Sequence, residues 1–241
     1  MAIEALYLQL LHQAIGRVRE RVTAPRALLL AYPDLIVPRA GLARIVGEAA
    51  LAGLAERDDS ASAWGYHGLA GVGDPMFDTL ALLRALGVEP EVIDVARLRG
   101  MERLVDLNLP LPADFARRYD LVIDTGTCEH CFNVGQAFLN TCEAVREGGV
   151  LVHAAPLARV NHGFWNFSPT VYPDFFGANG FELQVLTGVA GDIASGLRTF
   201  PVDPVQRFDP PAGSALYVVA QRREVRALRW PVQRKYQGML A

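Results

Sequence analysis

The sequence predicts an α/β fold: a doubly wound, mostly parallel sheet with helices on both faces and an antiparallel last strand. Three observations carry this. Short apolar runs alternate with amphipathic or Ala- and Leu-rich stretches of helical length, the rhythm of βαβ units whose strands are buried on both faces. The chain has 241 residues, enough for one such domain and short for two. Half of the residues are apolar (51%) and a fifth are charged (20%), which is globular composition and excludes long disordered or fibrous segments.

The elements follow in order. Ile3, Leu6, Leu10, Ala14 and Val18 recur at i+3 and i+4 spacing with Glu, Gln and Arg between them, so residues 1–24 are expected to form an amphipathic N-terminal helix laid against the rest. Pro25 ends it, and RALLLAY (26–32) reads as the first buried strand. Residues 40–55 read as a helix, and the Gly-, Ser- and Asp-laden stretch 58–73 as a loop. Asp74 is expected to cap a helix that runs to Leu86 and stops at Gly87. Strands are expected at 91–95, 101–107 and 119–125, the last (YDLVIDT) being the central one. A helix over 135–147 ends at Gly148-Gly149 and feeds a strand at 150–155. A loop (156–167), a helix (168–180) and two closing strands (181–189 and 214–223), joined by a Pro-rich loop, complete a single domain spanning 1–241. Residues 222–241 carry Arg222, Arg223, Arg226, Arg229, Arg234 and Lys235, a basic tail expected to be solvated or to contact a second subunit in a homodimer or heterodimer.

Charge and cysteine content narrow the partners. A formal charge of −3 gives no global reason to expect nucleic acid. Three cysteines do not make a disulfide framework, so a reducing cytoplasm is expected. The first residues lack the basic flank and apolar run of a signal peptide, and no uninterrupted apolar stretch reaches membrane-spanning length. A small-molecule ligand is the expected partner.

In an open α/β sheet, ligands bind beyond the carboxyl ends of the strands. That rule selects Tyr32 and Asp34 after the first strand, Asp94 after the second, Asp106, Leu107 and Asn108 after the third, Asp124 to His130 after the fourth, and His153 to Trp165 after the fifth. A carboxylate ending the second strand, Asp94, offers two acceptors to a pair of ribose hydroxyls. Asp106 is suited to an adenine edge or to an Asx turn. Glu129-His130 pairs a carboxylate with an imidazole just past the central strand, a pairing that can hold or move a proton near neutral pH. Asn161, His162, Trp165 and Asn166 interleave polar groups with aromatics in a segment able to cover an acceptor pocket, with His162 a second candidate base. Tyr66 and His67, flanked by Gly65 and Gly68, fit a mobile lid over the substrate. Cys128 and Cys131 form a C-x-x-C without the second pair that a structural zinc wants; they are expected to be core hydrophobes, like a histidine at 153 inside a strand, and no dedicated metal site is expected.

The order of VIDV (92–95, with Asp94), VDLNLPLP (105–112), YDLVIDTGTCEHCFN (119–133) and REGGVLVHAAP (146–156) resembles the class I S-adenosylmethionine-dependent methyltransferases. More narrowly, GTCEHCFN (126–133) and HGFWNFSP (162–169) resemble a branch with GTxEHxFN and HGFxxFSP segments, common among small-molecule and surface-sugar methyltransferase homologues. The resemblance covers residues 90–190. It implies a Rossmann-like seven-stranded methyltransferase fold with S-adenosylmethionine as cofactor, Tyr32, Asp34, Asp94, Asp106, Leu107, Asp124 and Thr125 near it, and methyl transfer to a small polar metabolite in a sugar or secondary-metabolite pathway.

One departure runs against it. The family carries a glycine-rich loop after its first strand, where backbone approaches the cofactor; here that loop is AYPDLIVP (31–38), free of glycine. Three readings follow. In the first, His130 or His162, with Glu129, removes the acceptor proton during methyl transfer. In the second, the fold has lost the cofactor and does acid–base chemistry, such as elimination or ring closure. In the third, the chain is a subunit of a hetero-oligomeric enzyme.

Overall fold

The structure is a computed structural model in which residues 1–237 and 239 are described; Gly238, Leu240 and Ala241, at the end of the basic tail, lie outside the described residues. In chain order the elements are β1 (Ala2–Ile3), α1 (Ala5–Arg19), β2 (Arg26–Leu30), β3 (Asp34–Leu35), α2 (Arg39–Val46), α3 (Glu48–Leu51), α4 (Ser60–Tyr66), α5 (Thr79–Ala85), β4 (Glu89–Asp94), β5 (Arg103–Leu104), β6 (Tyr119–Asp124), α6 (Val134–Ala144), β7 (Val145–Pro156), α7 (Val171–Ala178), β8 (Phe181–Asp192), β9 (Gly196–Pro201), β10 (Ala215–Arg222) and α8 (Arg234–Gln237).

Eight strands form one sheet in the order β5-β4-β2-β6-β7-β10-β8-β9. The first five are parallel. β10 is inserted antiparallel between β7 and β8, and β9 closes the edge antiparallel to β8. The expected doubly wound sheet with a reversed last strand is therefore present, with one strand more than the expected seven. The addition is β9, in the stretch read as part of a Pro-rich loop; its residues are mostly exposed, so no apolar run announces it. Strand order reverses between β2 and β6, which places the topological switch point at their carboxyl ends.

The sheet is central because its strands are apolar on both sides: β2 and β6 are buried along nearly their whole length. α1 lays Leu8, Leu11, Ile15 and Val18 on one face with α5 beside it. α6 and α7 cover the other face through Phe138, Tyr172 and Phe176. Glu4 caps α1 by accepting from the backbone N–H groups of Leu6 and Tyr7.

Several boundaries differ from expectation. The helix expected over 40–55 is broken at Gly47, whose φ is +87°. The loop 58–73 contains α4, because Trp64 buries its ring and donates its indole N–H to the Asp74 carbonyl. The cap of α5 is Asp78, which accepts from Ala81 N–H, and not Asp74, which accepts instead from Arg39 N–H. Gly87 does end that helix, at φ +76°. Arg222 belongs to β10 and not to a tail: it is fully buried and donates to the carbonyls of Cys142 and Val145. The following residues fold back over α7, where Asn179 bonds both the N–H and the carbonyl of Arg229, and the Arg234 N–H reaches Asp174. Among the described residues, no helix is long and apolar enough to cross a membrane.

Candidate functional site

The chain itself crosses the crevice at the switch point. β2 ends in Ala31, whose φ of +67° is unusual for a residue with a Cβ, and the chain turns there into β3. β3 pairs in parallel with β1, so the first residues lie across the carboxyl ends of β2 and β6. Met1 Sδ stands 2.8 Å from the Thr127 hydroxyl, which itself donates to the Leu30 carbonyl. Alongside, Asp34 is ringed by two guanidiniums and an imidazole. Arg57 pairs with it, His67 Nε2 lies 2.9 Å away and Arg99 3.0 Å away. Burial alone would raise the Asp34 pKa, but His67 and Arg57 hold it down to about 2. Arg99 also stacks over the Tyr32 ring at 4.1 Å. Tyr32 donates its hydroxyl hydrogen to Asp78 and accepts from Thr79 N–H.

Tyr32 and Asp34, expected to contact a cofactor, thus spend their polar groups inside the protein. Three other positions are likewise engaged within the protein. Asp124 is fully buried; it accepts from the N–H groups of Gly126 and Thr127, and His153 Nδ1 lies 2.7 Å from it. Burial opposes its charge, yet the adjacent His153 holds its pKa below the usual carboxylate value. Leu107 is a core side chain. Asp106 caps its own Asx turn on Asn108. Asp94 takes one backbone N–H, from Ala96, through Oδ1; its Oδ2 makes no hydrogen bond among the described residues.

The site that remains open lies one strand over, beyond β6 and β7. It is a cavity of about 410 Å³ whose wall includes Thr125, Gly126, Glu129, His130 and His162, with Tyr66, His67 and Arg159 at its rim. Glu129 and His130 come from the 3₁₀ turn Cys128–His130 that follows β6. His162 comes from the loop after β7, where Asn161 adopts a left-handed φ of +63°. Phe164 N–H donates to the Glu129 carbonyl at 2.9 Å, and Trp165 donates its indole N–H to the Cys131 carbonyl. These two bonds fix one loop to the other. Gly163 is required at the contact, since a Cβ there would stand 2.8 Å from the Glu129 carbonyl oxygen. The three candidate catalytic residues of the sequence are therefore brought together.

Their electrostatics are unequal. Glu129 is 1% exposed, and its Oε2 has no hydrogen-bond partner among the described residues. Oε1 has His162 Nε2 at 3.5 Å, beyond a good hydrogen bond. The His130 and His162 rings lie 5.4 Å apart between centroids. The Thr125 hydroxyl is buried and also without a partner among the described residues. Arg159 uses Nε on the Gly213 carbonyl, and its terminal nitrogens make no hydrogen bond among the described residues.

Other expected substrate contacts fall elsewhere. Trp165 and Asn166 face a separate apolar groove with Trp230 and Phe175, and Asn166 accepts from Arg159 N–H. Asn161 shapes the turn and does not line the cavity. Tyr66 and His67 do line it, His67 with its Nε2 on Asp34. Arg159 was not singled out from the sequence; its only signal was a cation in the loop after a buried strand. All three cysteines are free and buried, with burial pushing the Cys131 thiol up to about 12.

No protein-family profile and no curated protein matches the chain. Solved structures are. The CurJ carbon methyltransferase is 13% identical with a TM-score of 0.47, the match covering 90% of this chain and 54% of that one; this chain therefore spans about half of its length. The N-methyltransferase NodS from Bradyrhizobium japonicum is 13% identical with a TM-score of 0.45, covering 91% of this chain and 98% of that one. The Burkholderia thailandensis 1,6-didemethyltoxoflavin-N1-methyltransferase, bound to 1,6-didemethyltoxoflavin and S-adenosylhomocysteine, is 14% identical with a TM-score of 0.46, covering 91% and 77%. The fold itself rests on the strand order: five parallel strands wound outward from β2, with a reversed strand inserted before the edge, make the Rossmann-like methyltransferase sheet.

The residues present offer one group suited to S-adenosylmethionine. Asp94 keeps a free carboxylate oxygen at the end of β4, where a ribose would be held. β1, Tyr32 and the Asp34–Arg99 pair stand after β2, where the glycine-rich loop was expected. The glycine-free turn after β2 thus carries interacting side chains where the family has bare backbone.

Proposed function

We propose that the chain is a small-molecule enzyme of the methyltransferase fold whose reacting groups are Glu129, His130 and His162. One observation carries the reading: a buried carboxylate oxygen without a partner lies beside two imidazoles, in a cavity at the strand ends. The substrate is a small polar molecule bearing an anionic group. Arg159 supplies the cation for it and Thr125 a hydroxyl hydrogen bond. The chemistry begins with removal of a substrate proton. His162 is the base, with Glu129 stabilising the imidazolium that forms. The loop contact through Phe164 holds the base in place before substrate arrives, which is the main contribution a preorganised site makes.

Two reactions share that step. Acid–base conversion of the substrate alone, by elimination or ring closure, is the reading favoured by the cluster around Asp34, which stands where the glycine-rich loop was expected. Methyl transfer from S-adenosylmethionine is the second reading, favoured by the strand order and by the free oxygen of Asp94. Calorimetric titration with S-adenosylhomocysteine, on the wild type and on Arg99→Ala, separates them. Micromolar binding by the wild type establishes the methyl-transfer reading and shows that Arg99 swings aside. Binding by neither protein at millimolar ligand, with both folded, rejects it. Binding only by Arg99→Ala marks Arg99 as the residue that closes the cofactor crevice.

A further inference from the structure

We propose that Glu129, His130 and His162 bind a divalent transition-metal ion of the zinc class, with the remaining coordination position open to the cavity. The inference deepens the functional reading, resting on this trio being the reacting group, and it changes how the proton is taken. With the ion bound, Glu129, His130 and His162 would hold it, and it would acidify a water at the open position so that this water, in place of His162, could take the proton.

The distances favour ligands over a hydrogen-bonded pair. One carboxylate oxygen and one ring nitrogen from each histidine all lie within 4.8 Å of one another. His162 Nε2 and Glu129 Oε1 are 3.5 Å apart. Two atoms each about 2.0–2.1 Å from a tetrahedral zinc stand roughly 3.3–3.4 Å from each other, so that pair is already spaced as neighbours on one ion. It is also too long to be a strong charge-assisted hydrogen bond, which closes to about 2.7–2.9 Å.

A second observation is independent of the spacing. Glu129 Oε2 is buried and unpartnered, and an unpaired buried carboxylate is costly. The surroundings make room for this side chain: a Cβ on Gly126 would stand 2.9 Å from Oε1, and one on Gly163 would stand 3.0 Å from Cγ. The protein thus builds a glycine-walled slot for a carboxylate and supplies it with no counter-charge at hydrogen-bonding distance. A metal ion is the missing counter-charge. The donor set of two imidazoles and one carboxylate suits zinc and its neighbours in the transition series over magnesium or calcium, which prefer oxygen alone. The second cluster with ligand-type groups, Asp124, Cys128 and His153, is buried, and its groups are already joined to one another, to backbone N–H groups and to the Tyr172 hydroxyl.

The test is zinc binding by the full chain after dialysis against a chelator, read by calorimetry and by X-ray absorption of the loaded protein. One equivalent should bind at micromolar affinity or tighter, with nitrogen and oxygen at about 2.0–2.1 Å and no sulfur at about 2.3 Å. Glu129→Gln and His162→Ala should each weaken binding by tenfold or more. His130→Ala gives a third reading should either fail to fold, folding being checked by circular dichroism. No binding by the wild type below millimolar zinc overturns the proposal. So does a sulfur ligand, which would place the ion at Cys128, or undiminished affinity in folded variants. The functional reading fails separately. A chain that binds zinc here but loses no substrate conversion in His162→Ala keeps the metal site and loses the catalytic role. A chain that converts substrate at full rate after chelation keeps the catalytic role and loses the metal.

Discussion

Replacing Asp34 by Asn tests whether the switch-point crevice is closed by charge. The substitution keeps the shape and one acceptor oxygen but removes the anion that Arg57, Arg99 and His67 share. The Arg57 side chain is only 7% exposed, so it would be left as a buried cation with Asp59 as its remaining partner. Breaking a buried pair from one side costs about 3–5 kcal/mol; the surviving Asp59 contact and the half-open Arg99 reduce this to roughly 2 kcal/mol. The carboxylate gives a similar figure by another route. A native pKa of about 2 against an unfolded value near 3.9 corresponds to about 2.6 kcal/mol at neutral pH, with a modest discount for solvent at its edge. For a chain of this length such a loss lowers Tm by about 4–8 °C. The pH dependence has a fixed sign. A depressed carboxylate pKa contributes fully above about pH 4, and that contribution is lost as pH falls through about 2. Thermal melts followed by circular dichroism should therefore show the variant several degrees below wild type at pH 7, with the gap shrinking between pH 4 and pH 2. A Tm within 1 °C of wild type at pH 7, or a gap that does not change on acidification, would refute the cluster as a closed, charged plug.

Three further outcomes are expected. With Cys128, Cys131 and Cys142 buried and their thiols pushed upward mainly by desolvation, a thiol-reactive disulfide reagent at pH 8 should label none of them within minutes in the native protein and all three in denaturant; one fast native thiol would contradict the packing. The buried Asp124–His153–Tyr172 chain should respond unequally. Tyr172→Phe should cost about 1 kcal/mol and His153→Ala about 3–5 kcal/mol in urea unfolding, because only the second leaves Asp124 charged and unpaired. Gly163→Ala should cost about 1–3 kcal/mol through its collision with the Glu129 backbone, whereas Gly65→Ala, with open space around it inside α4, should be neutral or stabilising; equal effects at the two glycines would show that the loop contact is not tight.

The parts of the fold that could be read in the sequence are those whose burial is complete. β2, β6, β10 and the 150–155 part of β7 are mostly apolar runs because they are buried on both faces, and that pattern finds them. α4 could not be read this way. SASAWGY is short, polar and glycine-containing, and it is helical because Trp64 anchors it to the Asp74 carbonyl, a tertiary contact with no local signature. β9 pairs at an exposed edge, where alternation is lost. At the site, Glu129, His130 and His162 were readable because strand ends are where this fold presents ligand-binding groups. The fate of Asp34 was not. Its partners come from three separate connections, at Arg57, His67 and Arg99, and nothing local to any of them points to the others.

The two carboxylates at this end of the sheet show how the fold divides stability from function. Asp34 and Glu129 are both withdrawn from water, and both lie within a few residues of a strand end. Asp34 receives two guanidiniums and an imidazole; its charge is satisfied and it ties three connections together. Among the described residues, Glu129 receives no guanidinium, has one oxygen without a partner and stands 3.5 Å from an imidazole. A protein that needed Glu129 only for packing would gain by an apolar side chain of similar volume there, since a buried and unpaired carboxylate is among the costliest groups to keep. Retaining it beside two histidines and an open cavity is a cost that binding must offset, and a cation is the ligand that offsets it most directly.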